Sequence, residues 1–338
     1  MSRSTVTGSR MRFSKTLGLV FAATAIVIVA TVRYLFFVPA AALPTLRGST
    51  QLTELDFGGL KRQFSYYMPD NLKPGAPVVI IFHGSRGTGE RIQLATAFAF
   101  DALADKHGFI VAYPDAYERH WNDCRAVGTY AAKELAVDDV GFVRSLLTYL
   151  QDEHGADPAR VLSVGLSGGG QMSLRLALEA PELIRSAVAI AANMPAPNNI
   201  ACKPEEKAVA VMFINGTDDS LNPFEGGEVG WLGLLGRRGT VLSALQSAQY
   251  WARLAGHESG PFQHRFPDSA AADNSVATRM VWADSGLAEV SLITVHGGGH
   301  TIPNPKQLFP RFLGPTNRDF SAADEIWRFF LRELDRPK

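Results

Sequence analysis

The chain alternates short segments that are apolar at every position with segments that carry apolar residues at helical spacing. The clearest apolar run is Val78–Phe82. A strand of this kind is buried on both faces, which is typical of a parallel sheet covered by helices. The alternation therefore predicts an α/β fold with a mostly parallel central sheet flanked by helices. We expect strands at 61–68, 77–82, 109–113, 161–164, 187–191, 209–214 and 290–295, and helices at 91–107, 137–150, 171–177, 242–254 and 322–334.

The size and charge of the chain limit the number of domains and argue against a nucleic-acid partner. The 338 residues are 46% hydrophobic and 20% charged, which suits one large globular domain. Lysine plus arginine and aspartate plus glutamate each total 33, so no net charge attracts nucleic acid, and we expect no nucleic-acid partner. We divide the chain into an N-terminal apolar segment (1–44), a polar connector (45–58) and an α/β domain (59–338).

The N-terminal segment has the pattern of an export signal. Arg10, Arg12 and Lys15 precede an uncharged run over 16–32, and apolar residues continue beyond Arg33. As a helix the run spans about 25 Å, against roughly 30 Å for the hydrocarbon core of a bilayer. Its length favours an uncleaved signal-anchor, whereas the small residues at 40–42 also fit cleavage of a signal peptide. Either reading places the body on the periplasmic or extracellular side, with the membrane as a partner if the helix is retained.

Two cysteines, Cys124 and Cys202, stand in segments that read as loops beside predicted strands. In an oxidising compartment they fit a disulfide. Two free buried thiols fit the sequence equally well, so the spacing leaves both states open.

The strongest local motif is Gly165-Leu166-Ser167-Gly168-Gly169, between a predicted strand and a predicted helix. A nucleophile elbow turns so sharply from strand to helix that the flanking positions must be small, and its serine is left exposed. The alternative is a glycine-rich turn with an idle serine. The strand before and the helix after favour Ser167 as a nucleophile.

A serine nucleophile needs a base and an orienting acid, and on such a fold these follow in the order Ser, acid, His. His300 lies in a glycine-rich loop after the strand at 290–295, so we favour it as base over His296, which adjoins the strand end. The acid is expected after the strand at 209–214, where Asp218 and Asp219 share a turn. Asp219 is preferred, with Asp218 as the alternative.

Acyl transfer also needs donors for a developing oxyanion. We expect the backbone N–H groups of Gly168 and Ser85 to supply them, with His83 in a structural role. No cofactor is required. A zinc site at His296 and His300 is disfavoured because three glycines separate them and no further ligand cluster accompanies them.

In these motifs the chain resembles the polyhydroxybutyrate depolymerase and feruloyl esterase group of α/β-hydrolases, a carbohydrate esterase family 1-like group, from about Lys61 to the last helix. The resemblance implies the α/β-hydrolase fold, with Ser167 as nucleophile, Asp219 as acid and His300 as base, and it selects Asp219 over Asp218. The pieces that carry it are Phe82-His83-Gly84, Trp121-Asn122-Asp123, the segments 137–142, 165–169, 215–219, 224–227 and 238–244 with Trp251, and 297–300.

The family resemblance implies a serine esterase acting on hydroxyalkanoate oligomers, feruloyl esters or other small acyl esters. Asn215 and Ile302 replace residues common in the group, which are His and Trp, and these changes are expected to reshape the pocket. Trp121, Phe224 and Trp231 are candidates to line an aryl or alkyl pocket, with simple packing as the alternative. A serine peptidase on the same fold and a tethered binding protein without catalysis are the rival functions.

Overall fold

The computed structural model describes residues 9–231 and 236–336. Its helices are α1 (Ser9–Phe36), α2 (Gly89–Ala95), α3 (Ala99–His107), α4 (Ala131–Glu134), α5 (Asp139–His154), α6 (Gly168–Glu179), α7 (Ala244–Ala255) and α8 (Ala322–Asp335). Its strands are β1 (Ser49–Phe57), β2 (Leu60–Met68), β3 (Val78–Phe82), β4 (Ile110–Pro114), β5 (Val161–Leu166), β6 (Ser186–Ile190), β7 (Ala210–Gly216), β8 (Gly227–Glu228), β9 (Thr240–Val241), β10 (Phe262–Arg265), β11 (Val276–Trp282) and β12 (Val290–His296).

Ten of the described strands form one sheet in the order β1-β2-β4-β3-β5-β6-β7-β12-β11-β10. The six strands from β4 to β12 in this order run parallel to one another, whereas the two strands at each end pair antiparallel. All six parallel strands therefore end at one edge, called here the carboxyl edge. Loops that follow these strands meet there, which is where ligands bind in α/β sheets.

Helices cover both faces of this sheet. On one face the core includes Phe142 from α5, Met172 from α6 and Trp251 from α7. On the other it includes Phe100 from α3 and Phe330 from α8. Each of these side chains is at most 2% exposed, and burial of one such side chain contributes about 1.5–3 kcal/mol. The two apolar layers hold the sheet rigid and so fix the positions at which the carboxyl-edge loops begin.

Several elements differ from the sequence-based expectation. The connector expected at 45–58 contains β1, an edge strand whose mostly exposed side chains give little apolar signal. The single helix expected at 91–107 is two helices, because Ala97 and Phe98 have φ of 52° and 56° between α2 and α3. The strands β10 and β11 were not expected, and every residue of β10 is exposed. These elements lie outside the parallel core and leave the carboxyl edge unchanged.

The N-terminal helix α1 belongs to a unit separate from the α/β domain. Its apolar stretch runs from Leu17 to Phe36, which is 20 residues long. At 1.5 Å per residue this stretch is about 30 Å long, comparable to the hydrocarbon core of a bilayer. Leu19, Phe21 and Ile26 are exposed along it.

Candidate active site

Ser167 forms the turn between β5 and α6 with φ of 56° and ψ of −116°. A residue with a Cβ adopts positive φ only where its surroundings enforce it, and such strain concentrates at functional sites. The flanking glycines permit the turn, because a Cβ on Gly165 would lie 2.1 Å from the carbonyl oxygen of Gly169. A Cβ on Gly169 would lie 2.1 Å from the carbonyl oxygen of Phe82. The half-buried Ser167 thus stands at the carboxyl edge, at the N-terminus of α6.

Asp219 and His300 are hydrogen-bonded to each other at the same edge. Oδ2 of Asp219 lies 2.7 Å from Nδ1 of His300, and both residues are buried. The other carboxylate oxygen accepts from the backbone N–H groups of Leu221 and Asn222, each at 2.8 Å. The carboxylate therefore orients the imidazole with its proton on Nδ1, which leaves Nε2 as the atom that can take a proton.

The rival residues lie apart from this pair. Asp218 is exposed and accepts a hydrogen bond from the hydroxyl of Thr217 at 3.0 Å. His296 is exposed at the end of β12, with Nε2 3.0 Å from the Thr278 hydroxyl. The structure therefore brings together Asp219 and His300, the pair preferred from the sequence, and neither alternative.

Two backbone N–H groups lie close together beside Ser167. A Cβ built on Gly168 would lie 3.3 Å from the backbone nitrogen of Ser85, and one on Gly84 would lie 3.5 Å from Cβ of Ser167. Gly168 is the first residue of α6, where N–H groups have no intrahelical acceptor. In the described part of the chain Ser85 N–H also donates no hydrogen bond. The pair is thus available to an oxyanion, and the N-terminus of α6 favours negative charge there.

His83 supports the loop that carries Ser85. Its Nε2 accepts from the Ala116 N–H at 3.1 Å, so Nδ1 carries the proton and donates to the Gly84 carbonyl at 2.7 Å. Burial lowers the pKa of His83, which keeps the ring neutral at pH 7. Both ring nitrogens are engaged, as expected for a structural residue rather than a catalytic one.

The aromatic pocket candidates have three different environments. Trp121 is 2% exposed, and its indole N–H donates to the His83 carbonyl at 2.9 Å. Its ring also lies edge-on against Phe82 at 5.0 Å, so its contacts are those of a packing residue that holds the loop after β3. Phe224 is partly buried against the core, whereas Trp231 is 52% exposed. Residues 232–235, in the loop that follows Trp231, lie outside the described residues.

Cys124 and Cys202 form a disulfide in the structure. The bond joins the loop after β4 to the loop after β6, and Ala201 N–H donates to the Cys124 carbonyl at 2.7 Å. Both loops lie at the carboxyl edge. The cross-link therefore ties together two segments that border the site.

Sequence reasoning did not anticipate the asparagines that connect these loops. The side-chain oxygen of Asn215 accepts from Ala192 N–H at 3.1 Å, and its side-chain nitrogen donates to the side-chain oxygen of Asn193 at 2.9 Å. Asn199 donates to the carbonyls of Arg238 and Thr240, both at 3.0 Å, and accepts from Val127 N–H at 3.0 Å. No local motif marks such residues, because their partners come from different loops.

The assembled groups match the requirements of acyl transfer. A strained serine, a buried Asp–His pair and two converging N–H groups occupy one edge of the sheet. In the described residues the Ser167 hydroxyl makes no hydrogen bond, so the relay predicted from the sequence is formed on its Asp219–His300 side. Hydrogen bonds between nucleophile and base are often long in an unliganded site and shorten when substrate binds.

Comparison with known proteins agrees with this architecture. A model of the dienelactone hydrolase family matches residues 65–228, a region that contains Ser167 and Asp219. The solved acetyl xylan esterase from Aspergillus awamori superposes with a TM-score of 0.53 at 17% identity, covering 75% of this chain and 95% of that chain. The chain therefore has the α/β-hydrolase fold, and the fold class predicted from the sequence is confirmed.

The sequence is also similar to those of named esterases, over most of the chain in one case and over about half of it in another. NocK of Nocardia uniformis subsp. tsuyamanensis, which is named as an esterase, is 29% identical over 309 residues, covering 87% of this chain and 86% of NocK. Feruloyl esterase B of Thermothelomyces thermophilus is 28% identical over 155 residues, covering 45% of this chain. That alignment spans 52% of the feruloyl esterase, so the chain matches about half the length of this relative.

Proposed function

We propose that this protein hydrolyses carboxylic esters through an acyl-enzyme formed on Ser167. The observation that carries the proposal is the buried hydrogen bond of 2.7 Å between Asp219 and His300, at the edge where the strained Ser167 stands. A buried Asp–His pair beside a positive-φ serine is the arrangement that acyl-transfer enzymes use. The names of the similar proteins, which include esterase, feruloyl esterase and acetylxylan esterase, support the same reaction class.

In the proposed reaction His300 Nε2 takes the proton of the Ser167 hydroxyl as its oxygen attacks the ester carbonyl. The negative oxygen of the tetrahedral intermediate accepts hydrogen bonds from the N–H groups of Gly168 and Ser85. His300 then gives its proton to the leaving alkoxide, and the alcohol departs. Water, deprotonated by His300, attacks the acyl group and releases the acid, while Asp219 stabilises the imidazolium in both halves.

The direct test is Ser167→Ala with a 4-nitrophenyl acyl ester as substrate. We expect kcat to fall by about 10⁴- to 10⁶-fold, as in other enzymes that lose a serine nucleophile. A matched control is Ser285→Ala, because Ser285 is an exposed turn residue before β12, at the end of that strand opposite the carboxyl edge. Turnover by Ser167→Ala at near the wild-type rate would overturn the proposal.

We further propose that the acyl esters are small, such as hydroxyalkanoate oligomers, feruloyl esters or acetyl esters. The polyhydroxybutyrate depolymerase and feruloyl esterase resemblance and the names of the relatives support this range. A panel of feruloyl, acetyl, butyryl and 3-hydroxybutyryl esters, with a matched peptide amide, tests it. Faster cleavage of the amide than of every ester would favour the peptidase alternative.

We propose that α1 acts as an uncleaved signal-anchor that holds the catalytic domain outside the cytoplasm. Its apolar stretch of 20 residues and the basic residues before it support the proposal, and a disulfide is typical of an oxidising compartment. Mass spectrometry of protein isolated from membranes tests whether the chain is cut. A mature protein beginning near residues 40–43 would identify a signal peptide instead.

A further inference from the structure

A group of three arginines, one histidine and one tyrosine lies in the loops beside the candidate active site. We call it the rim cluster and define it as Arg86, His120, Arg125, Tyr130 and Arg238. Arg86 lies in the loop after β3 and Arg238 lies between β8 and β9, whereas the other three members lie in the loop after β4. None of them takes part in the reaction steps proposed above.

Tyr130 is the centre of the cluster. The guanidinium carbon of Arg238 lies 5.0 Å from the centroid of its ring. The imidazole of His120 stacks on the same ring, with centroids 4.9 Å apart and planes inclined by 19°. These contacts hold Arg238 and His120 at one place rather than letting their side chains disperse into solvent.

The cluster has more positive than negative charge. Asp123 is its nearest carboxylate, and that carboxylate is already bound to Arg125, at 3.0 Å and 2.6 Å from two guanidinium nitrogens. In the described residues Arg86, His120 and Arg238 pair with no aspartate or glutamate. Residues 1–16, 232–235 and 337–338 contain no acidic side chain, so the rest of the sequence supplies none.

Arg238 is partly buried without a carboxylate partner among the described residues, and both desolvation and repulsion from nearby arginines act against such a charge. Burial, followed by the charges of Arg125 and Arg86, lowers the pKa of Arg238. Burial, followed by Arg238, Arg86 and Arg125, lowers the pKa of His120 as well. In both cases repulsion from neighbouring arginines adds to the effect of burial, and a bound anion would offset that repulsion.

The rim cluster adjoins the proposed catalytic groups. Arg86 directly follows Ser85, and its N–H donates to the Arg119 carbonyl at 2.9 Å, which joins the β3 loop to the His120 segment. Asn199, buried in the loop after β6, fixes the Arg238 carbonyl at 3.0 Å. The disulfide at Cys124 ties the Arg125 segment to that same loop. Since Ser85 N lies close to Gly168, these contacts connect the cluster, through the loop after β3, to the position of Ser167.

We propose that the rim cluster binds a carboxylate at the far end of the ester substrate, so that the enzyme selects acidic esters over neutral ones. Arg238 and Arg86 supply the charge, since planar guanidinium groups match a carboxylate in paired hydrogen bonds. The inference rests on the proposed ester hydrolysis at Ser167. It adds the substrate class: esters that carry a free carboxylate some bonds away from the scissile carbonyl.

The experiment uses the full-length protein in a non-ionic detergent with matched ester pairs. Each pair consists of a mono-4-nitrophenyl ester of adipic, pimelic or suberic acid and its methyl-capped form, which differ only in the charge of the far end. The measured quantity is the ratio of kcat/KM for the acidic ester to that for its capped partner. We expect a ratio of about tenfold or more for the best spacer length, and we expect added salt to lower it.

Three variants test the assignment to the cluster. Arg238→Gln and Arg86→Gln should each bring the ratio down by about tenfold, whereas Arg238→Lys should retain part of it. Arg237→Gln is the matched control, because Arg237 is exposed and lies 3.7 Å from Glu228, outside the cluster. Its ratio should equal that of the wild type.

The outcomes separate this inference from the proposed function. Hydrolysis of capped and acidic esters at equal kcat/KM, lost in Ser167→Ala, would overturn the carboxylate site while leaving ester hydrolysis intact. An acidic preference that Arg237→Gln abolishes and Arg238→Gln does not would also overturn it. Absence of Ser167-dependent turnover with every ester would remove the proposed function itself.

Discussion

Asp219 and Asp101 are both buried carboxylates, but they lie in regions that are built differently. Asp219 is at the carboxyl edge, where two backbone N–H groups and His300 bond to its oxygens. Asp101 is in α3, in the layer of helices α2 and α3, where it accepts from the Tyr113 hydroxyl at 2.9 Å and the Gln93 amide at 3.1 Å. One carboxylate positions a histidine, whereas the other is a member of a packed polar core.

The two regions differ in how they stabilise a negatively charged carboxylate. Desolvation raises the pKa of Asp101 to about 6, and the nearby charge of Asp105 acts in the same direction. The side chains that donate to Asp101, Tyr113 and Gln93, are both neutral. Asp219 also has donors on both oxygens, but these are two backbone N–H groups and a ring that becomes cationic in the proposed reaction. We infer that the carboxyl edge is organised to hold charge, and the α2–α3 layer to bury surface. The substitutions below test this comparison.

The largest expected effect is on the carboxyl edge. Asp219→Asn keeps the shape of the side chain but removes the acceptor that fixes the His300 tautomer, so kcat should fall by about 10³- to 10⁴-fold. Steady-state hydrolysis of a 4-nitrophenyl ester measures it. Asp218→Asn is the matched control, because Asp218 is exposed and, among the described residues, its carboxylate bonds only to the Thr217 hydroxyl. An equal loss in both variants would remove the distinction between the two neighbouring carboxylates.

The second effect concerns how the carboxyl-edge loops are held. The disulfide of Cys124 and Cys202 closes a chain segment with a sequence separation of 78 residues. Replacing both cysteines with serine should lower the free energy of unfolding by about 2–5 kcal/mol, because the unfolded chain regains conformational freedom. Urea unfolding measures the change, and wild-type protein with reductant provides the control. Equal stability of the double variant and the oxidised wild type would contradict a stabilising cross-link.

The sequence predicted the parts of the site that are encoded locally. Ser167 is recognisable because the elbow needs glycines on both sides of one serine, and the order of Asp219 and His300 follows from the chain course of the fold. Sequence spacing could not decide between Asp218 and Asp219 as the acid, because adjacent residues in a turn differ mainly in the direction in which their side chains point. The polyhydroxybutyrate depolymerase and feruloyl esterase resemblance selected Asp219, and the structure places that residue beside His300.

The remaining features depend on contacts that no local pattern encodes. β1 went unpredicted because its side chains are largely exposed, and the break between α2 and α3 went unpredicted because Ala97 and Phe98 are not helix breakers. The rim cluster unites residues that lie far apart in sequence, from Arg86 to Arg238. Only the folded carboxyl edge brings them to the ring of Tyr130.

A smaller effect is expected in the α2–α3 layer, and it depends on pH. The pKa of Asp101 is raised from 3.8 to about 6, so the folded protein holds a proton between about pH 4 and 6 that the unfolded chain has released. Stability therefore falls as pH rises through this window, by up to about 3 kcal/mol. Asp101→Asn cannot ionise, so at pH 8 its free energy of unfolding should exceed that of the wild type by about 1–3 kcal/mol. Urea unfolding measures the difference.

The same variant separates the two regions. Asp101→Asn should leave ester hydrolysis unchanged, since the side chains bonded to Asp101 are Tyr113 and Gln93, and neither takes part in the proposed reaction. At pH 4.5 its stability advantage should shrink, because the wild-type carboxyl is then mostly protonated in the fold. An advantage of the same size at pH 4.5 and pH 8 would show that ionisation of Asp101 is not its cause.

The smallest expected effect distinguishes the two histidines that flank the glycine run after β12. His296→Ala removes one hydrogen bond between exposed side chains, to Thr278 at 3.0 Å. Such a bond contributes about 0.5–1.5 kcal/mol at most, so kcat/KM should stay within about twofold of the wild type. His300→Ala, measured in parallel, should lose nearly all turnover because Ser167 then has no base. Loss of turnover in His296→Ala with activity kept in His300→Ala would reverse the assignment of the base.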